Sequence, residues 1–451
     1  MSAARPTVLA MSGVVDAAVA ALEELSSHNV LVRPAGVHAV GSATGPLAGT
    51  PIVVKDNVAV EGLPLTAGSP ALEGYRPSRS ATTVRRLLDA GAVVVGQTNM
   101  HELARGTTSH NAVYGPVRNP WRASRMAGGS SGGTAAAVAA GAVPAGLGTD
   151  TSGSGRIPAA MCGCVGFRAS ASRYPGDGVV HLSPSADAVT VMASTVEEVA
   201  VFDAVLAGMS ESGSDVGEVP ELPPLDPSTV RLGVPREACW RLLDPEVERV
   251  CEEALEKLRA AGVRVVDVDL DDLAEESLEV NVSMTMYEMY EYWSRFARRH
   301  LDCDYATLVT RLGSPDVVKA FGSMVDGSPI TPDDYAALRA LKDEVIARFA
   351  TLFAEQRLDA LVFPPVPVTA PEVGAETVTI RGREYDLLMA TIANETMAPS
   401  AGLPAVSVPA GLAADGLPVG IELDGPTGSD RRLLAIAELV ERCVGPLPVP
   451  R

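Results

Sequence analysis

Two glycine-flanked serine clusters carry the chemistry of this chain: Gly128-Gly129-Ser130-Ser131-Gly132-Gly133-Thr134 and Gly148-Thr149-Asp150-Thr151-Ser152-Gly153-Ser154-Gly155-Arg156. Between them, Thr134 to Ala140 is dense in alanine and closes on Gly141, the pattern of a short helix with a glycine just past its end. The first cluster is therefore a loop that opens a helix. The second follows the apolar run Ala142 to Leu147, which reads as a strand, and leads into Ile157 to Cys162, which reads as another helix. Loops feeding helix N-termini present unpaired backbone N–H groups, and glycines let a substrate come close to them. An oxyanion hole is built this way.

A serine becomes a nucleophile only beside a base. The candidate is Lys55 in Pro51-Ile52-Val53-Val54-Lys55-Asp56-Asn57, where a short β-branched run delivers a lysine to a strand end. Partial desolvation there disfavours the ammonium form and makes the amine a usable proton acceptor. A surface lysine is the plain alternative, and the apolar run argues against it. His101, His110 and His181 are scattered without triad order, so a Ser-His-Asp mechanism fits poorly. Taken alone, the first cluster could equally be a linker or a phosphate loop; Ser154 and Lys55 turn the reading to catalysis.

Together these residues resemble the amidase signature family of Ser-Ser-Lys amide hydrolases. The resemblance implies Lys55 as base, Ser130 as a proton relay entered through a cis peptide, and Ser154 as nucleophile. It also implies an oxyanion hole made from the backbone N–H groups of Thr151, Ser152, Gly153 and Ser154. Ser131 is expected to hydrogen-bond near the site and orient the relay, while Asp150 and Arg156 hold the loop as an ion pair. Met126, Gly128, Gly129, Tyr287 and Tyr290 are expected at the substrate. No cofactor or metal is implied. Two positions depart from the family pattern of two glycines before the nucleophile and an aliphatic residue after it: Ser152 stands at the first glycine and Gly155 at the aliphatic position. A positive φ required at Ser152 would strain it and reshape the oxyanion hole.

The segments Gly166-Phe167-Arg168-Ala169-Ser170 and Ser172 to Val180 resemble the indoleacetamide and mandelamide hydrolase branch. The function implied is hydrolysis of a small carboxylic amide, arylacetamide-like, through an acyl-enzyme. Alternatives are a ureido- or allophanate-type substrate, suggested by the Gly-Arg ending of the second cluster, and an ammonia-releasing subunit of a glutamine-dependent amidotransferase. A scaffold with a degenerate site, suggested only by Ser152 and Gly155, is a third.

The elements that must position these residues follow from pattern. With 47% hydrophobic and 20% charged residues, 451 residues can bury a substantial core. The expected fold class is α/β, a large mixed, mostly parallel central sheet with helices on both faces, formed by a single domain over 1–451. Ser12 to Ser26 has amphipathic helical spacing, within an N-terminal segment 1–45 that packs on the outside. Ser80, as a cap, opens a helix to Ala90, and Ala92 to Val95 follows as a strand, so Ile52 to Gly96 is one parallel unit. Val230 to Val234, a helix from Asp244-Pro245 to Ala261, and Val263 to Leu270 make a second. Glu211 to Thr229 is a surface loop or crossover. Ala405 to Leu412 and Leu417 to Leu423 flank a hairpin turn, and Ser429-Asp430 starts a final helix ending near Cys443.

The middle segment, 275–358, is a helical insert. Thr331-Pro332-Asp333-Asp334 is a strong helix start, and the aromatic run Met284 to Trp293 is by itself an ordinary core stripe. By resemblance the insert covers the substrate pocket, with tyrosine and methionine as an adaptable wall.

A net charge of −20 with no long basic run argues against nucleic acid or an anionic membrane as partner. No apolar stretch approaches the roughly 18 residues of a membrane helix, and Met1 to Pro6 lacks a leader pattern, so a cytoplasmic location is expected. Six cysteines are too sparse for a disulfide framework, and Cys162-Gly163-Cys164 has the wrong spacing for zinc. The expected partner is a small-molecule amide, and a homodimer is one assembly the sequence allows.

Overall fold

Alternation along the strand Pro51–Lys55 sets the layering. In the computed structural model, which describes residues 8–209 and 219–450, Ile52 and Val54 enter one core and Val53 a second. This is the two-residue period of a strand covered on both faces. Helices Val8–Glu24, Gly132–Ala139 and Arg156–Cys162 lie on the Val53 side. Thr82–Asp89, Val196–Ala207, Pro245–Ala260 and Asp430–Val444 cover the other.

The sheet has 11 strands. Their spatial order is Ala39–Val40, Val93–Thr98, Pro51–Lys55, Ala145–Asp150, Ala188–Ala193, Val165–Arg168, Ala405–Leu412, Pro418–Asp424, Ala360–Phe363, Arg231–Val234 and Arg264–Asp267. Parallel pairing joins Pro51–Lys55 to both of its neighbours on one flank, and Arg231–Val234 to both of its neighbours on the other. The two strand-helix-strand units expected from sequence supply these blocks. Between them the pairing is antiparallel, through the hairpin Ala405–Leu412/Pro418–Asp424 and the strands Val165–Arg168 and Ala188–Ala193. The antiparallel share is therefore larger than the two parallel units alone suggest.

Local chemistry explains most element ends. Asp244 caps Pro245–Ala260 by accepting the Glu246 N–H at 2.9 Å, with Pro245 in the first turn. Thr331 and Asp334 form a capping box at the head of Pro332–Gln356. Ser80 does not cap: the helix starts at Thr82, its N-cap is Ala81, and the Ser80 hydroxyl accepts the Glu61 N–H at 2.8 Å. Ser429 likewise makes no cap bond, and its neighbour Asp430 turns inward to accept the Ser170 N–H at 2.8 Å. The first part of the loop expected at Glu211 to Thr229, residues 211–218, lies outside the described residues. The remainder ends in a turn at Pro227–Thr229 capped by Asp226.

The long helix Leu273–His300 packs against Pro332–Gln356 and against Met397–Ala401, which brings the middle of the chain over the C-terminal ends of the central strands. All six cysteines are free, and Cys162 and Cys164 are buried. Among the described residues no helix is long and apolar enough to cross a membrane.

Candidate active site

Lys55 ends its strand on the same face as Val53, where the helix Gly132–Ala139 begins. Its Nζ lies 2.7 Å from Ser130 Oγ, 2.9 Å from Ser131 Oγ and 2.8 Å from Thr149 Oγ1. The side chain is fully buried. Burial lowers its pKa to about 7, with Asp187 and Asp150 acting in the opposite sense. Three hydroxyls and no carboxylate hold the nitrogen, so the amine keeps a substantial neutral fraction near neutral pH.

The helix and sheet approach closely because glycines leave room. A Cβ on Gly146 would sit 2.8 Å from Thr134 Cγ2, and one on Gly148 would sit 2.9 Å from Ser131 Oγ. The Gly129–Ser130 peptide is cis. The Ser130 carbonyl accepts the His101 N–H at 3.1 Å and the Ser109 hydroxyl at 3.2 Å. Ser131 joins the two clusters: its hydroxyl accepts the Thr149 N–H at 3.2 Å and donates to the Thr149 carbonyl at 3.0 Å. Its N–H donates to the Ser154 carbonyl at 3.1 Å.

Ser154 itself opens onto a cavity. The loop that carries it is folded around Asp150, whose carboxylate accepts the N–H groups of Gly153 at 3.0 Å and Gly155 at 3.1 Å. The same carboxylate takes Arg156 Nε at 3.0 Å and Arg168 Nη1 at 3.1 Å. Burial works against its charge, but the two guanidiniums outweigh it and hold Asp150 well below the usual carboxylate range. Arg156 continues downward to the carboxylates of Glu395 and Glu422, all fully buried.

The geometry fits a serine hydrolase with a lysine base, and the comparisons supply the family. The family model for amidases matches residues 19–434. The chain belongs to the amidase family. It is 37% identical to a mandelamide hydrolase of Pseudomonas putida, over 97% of this chain and 85% of that protein. It is 34% identical to an indoleacetamide hydrolase of Rhizobium radiobacter, over 90% of this chain and 85% of that one. A crystal structure of an amidase superposes with a TM-score of 0.82 at 31% identity, covering 98% of this chain and 97% of the other. Family and enzyme class thus stand as the sequence implied them.

Three expectations about this amidase's site need correction. The Gly153 N–H is committed to Asp150, so it is not an oxyanion donor. Among the described residues the amides of Thr151, Ser152 and Ser154 make no hydrogen bond and are the donors that remain. Tyr287 and Tyr290 do not reach the cavity. Tyr287 stacks on Tyr335 with ring centroids 4.2 Å apart, and Tyr290 meets Tyr305 edge-on at 5.0 Å. The cavity instead receives Val282, Thr285, Met286 and Met289, the stripe of the same helix at i, i+3, i+4 and i+7. Met126 is buried among Ile157, Met161 and Val366, and Gly128 and Gly129 pack tightly, on Pro158 and on Ser109. These three residues support the serine loop rather than line the pocket.

Both family departures have a structural reason. Ser152 has no positive φ, and the left-handed residue is Gly153 at φ +92. The Ser152 hydroxyl donates to Asn281 Oδ1, and Asn281 Nδ2 donates to the Thr151 carbonyl at 3.0 Å, so the oxyanion loop is moored to the long helix. At Gly155 an added Cβ would lie 2.7 Å from Thr190 Oγ1, leaving no room for an aliphatic residue.

The cavity at Ser154 is small, about 80 Å³. A larger hollow of about 460 Å³ opens on the far side of Met389 but contains none of the serines or the lysine. This hollow and the chemistry therefore do not coincide. Sequence reading missed Thr149, Asn281, Glu395, Glu422 and Arg105. The first four have partners distant in the chain and Arg105 has none through its side chain, so no local spacing marks them.

Proposed function

We propose that this amidase hydrolyses a small arylacetamide-like primary amide through an acyl-enzyme on Ser154, with Ser130 and Lys55 relaying protons. The observation that carries the reading is the fully buried Lys55 Nζ, 2.7 Å from Ser130 Oγ and with a pKa near 7. A neutral amine so held takes the proton that Ser130 passes on as the Ser154 oxygen bonds to the amide carbon. The amides of Thr151, Ser152 and Ser154 receive the developing oxyanion. The C–N bond breaks as the proton returns through Ser130 to the leaving nitrogen, releasing ammonia. Water then cleaves the ester by the same relay, giving the carboxylic acid and restoring Ser154.

Resemblance to mandelamide and indoleacetamide hydrolases supports the aryl-substituted acetamide. The methionine-rich side of the cavity, Met286 and Met289, supports an apolar acyl group. The helical insert 275–358 acts as the pocket wall. A cytoplasmic, stand-alone enzyme is proposed.

The test is ammonia release by the purified chain from a panel of primary amides, ureas and anilides. Primary arylacetamides should turn over, and Ser154→Ala should lower kcat by about 10⁴-fold or more with an unchanged unfolding midpoint. A fluorophosphonate probe should label Ser154. Activity retained in Ser154→Ala would overturn the nucleophile. Ammonia released only in the presence of a second protein and glutamine would favour the amidotransferase reading.

A further inference from the structure

A guanidinium without an anion stands in the wall of the Ser154 cavity. Arg105 is partly buried and lines the cavity together with Thr151, Ser152 and Ser154. Three other inward-facing arginines are held by carboxylates: Arg156 by Asp150, Glu395 and Glu422, Arg168 by Asp150, and Arg173 by Asp203. Arg105 makes no ion pair or hydrogen bond through its side chain among the described residues. The acids that act on its charge, Asp316 and Asp386, stand beyond ion-pair distance and are engaged elsewhere. Asp316 pairs with His101 Nε2 at 2.8 Å, and Asp386 caps the Met389 N–H at 2.9 Å. Burial lowers the pKa of Arg105 against the pull of these two acids, so the protein spends solvation on this cation without supplying a counter-charge in contact with it.

The backbone that presents Arg105 is fixed. Leu103 and Ala104 are both left-handed, at φ 51 and 59, a costly arrangement for two successive non-glycine residues. It is held by Leu103 N–H on the Ala67 carbonyl at 2.8 Å and Arg105 N–H on the Glu102 carbonyl at 3.0 Å. Glu102 in turn accepts the Ser69 hydroxyl at 2.6 Å and the Gly313 N–H at 3.0 Å. A rigid loop that aims a planar, five-donor cation into a catalytic cavity is built to receive a planar oxyanion in bidentate fashion.

We infer that Arg105 is a specificity-determining residue and that the preferred substrate is an amide whose acyl group carries a carboxylate. This rests on the amidase reading above and adds an anionic substituent to its substrate. The carboxylate would pair with Arg105, displacing solvent from both, while the amide carbon lies at Ser154. The apolar side of the cavity would hold the carbon chain or ring between them.

Three matched pairs of primary amides test this, each a neutral compound and its carboxylate-bearing counterpart: butyramide and succinamic acid, valeramide and glutaramic acid, phenylacetamide and 4-carboxyphenylacetamide. In the wild-type protein at least one carboxylate member should have the higher kcat/KM, expressed mainly in KM. In Arg105→Met the ratio of kcat/KM, carboxylate over neutral, should fall on the order of a hundredfold for that pair and invert in favour of the neutral member. Arg105→Lys, which keeps the charge but loses the fork, should fall between. Ratios unchanged by Arg105→Met in all three pairs would overturn the inference while leaving the amidase reading intact. Should the wild type release ammonia from none of the six, the amidase reading itself fails. Calorimetric binding of succinate, glutarate and 4-carboxyphenylacetate then still decides Arg105: tighter binding to wild type than to Arg105→Met supports it, and equal binding sinks it.

Discussion

In the proposed mechanism Lys55 works only as the free amine, so its titration should govern the rate. With a pKa lowered to about 7 by burial, kcat/KM for a neutral amide should rise with pH through about 7 and level off above it. A flat profile between about pH 6 and pH 9 would mean that another group takes the proton. The same shift is a statement about stability. The unfolded lysine keeps its ordinary value of 10.5, so between about 7 and 10.5 the unfolded state binds more protons and stability rises with pH. Below about 7 the full cost of burying the ammonium is present. Lys55→Met, which titrates nowhere, should therefore exceed wild type in stability by most at about pH 6, with the gap closing toward about pH 10. Urea unfolding across that range checks this, and a gap that widened with pH would contradict the assignment of a desolvated lysine.

At the scale of elements, the nucleophile loop is a structure built on one carboxylate. Asp150 ends its strand and gathers two loop N–H groups and two guanidiniums. Asp150→Ala would leave Arg156 and Arg168 short of a partner in a buried site, a loss of about 3–5 kcal/mol. It would also release the turn at Gly153, so activity should vanish together with several degrees of thermal stability. Asp150→Asn, which keeps one acceptor oxygen for the Gly153 N–H but sets an NH2 against the Gly155 N–H and Arg156 Nε, should recover part of the stability and little of the rate. Because Asp150 is held below its ordinary pKa, its contribution is present above the unfolded carboxylate value and fades as pH falls below it.

Elements of this kind were largely legible in the sequence. The β-branched run before Lys55, the alanine-rich helix between the serine clusters and the Asp-Pro and Thr-Pro helix starts are local signals, and local physics decides them. The phase of the helix Leu273–His300 was not legible. It is apolar or aromatic on several faces, and which stripe meets the cavity depends on Pro332–Gln356 packing against another, so Met286 and Met289 took the place expected for Tyr287 and Tyr290. Ser80 failed as a cap for a related reason. A tertiary partner, the Glu61 N–H, sets its local geometry first.

Across the whole molecule, charge is unevenly distributed through the interior. Beneath the nucleophile loop four buried carboxyl groups, Asp150, Glu395, Glu422 and Asp424, share two guanidiniums, Arg156 and Arg168. Burial raises the pKa of Glu422 against the opposing pull of Arg156, and raises Glu395 and Asp424 well above the usual range. These groups join distant parts of the fold. Glu422 and Asp424 lie on the strand Pro418–Asp424, and Glu395 packs against Gly153 in the nucleophile loop. Their ionisation is thus a load on the fold as a whole. For a carboxyl whose folded pKa is raised, the folded state binds the extra proton, so stability falls as pH rises from the unfolded value to the folded one. Glu422→Gln keeps an oxygen for Arg156 but never ionises. It should come nearest to wild type at or below the ordinary carboxyl value and gain on it as pH rises above that value, by roughly 1–3 kcal/mol, the scale of relieving a buried charge short of partners. Urea midpoints at about pH 5, 7 and 9 measure the divergence. A constant difference across that range would show Glu422 already ionised throughout and Arg156 sufficient to hold it. A wild type that gained on the variant at high pH would mean that the glutamate charge stabilises the loop it supports.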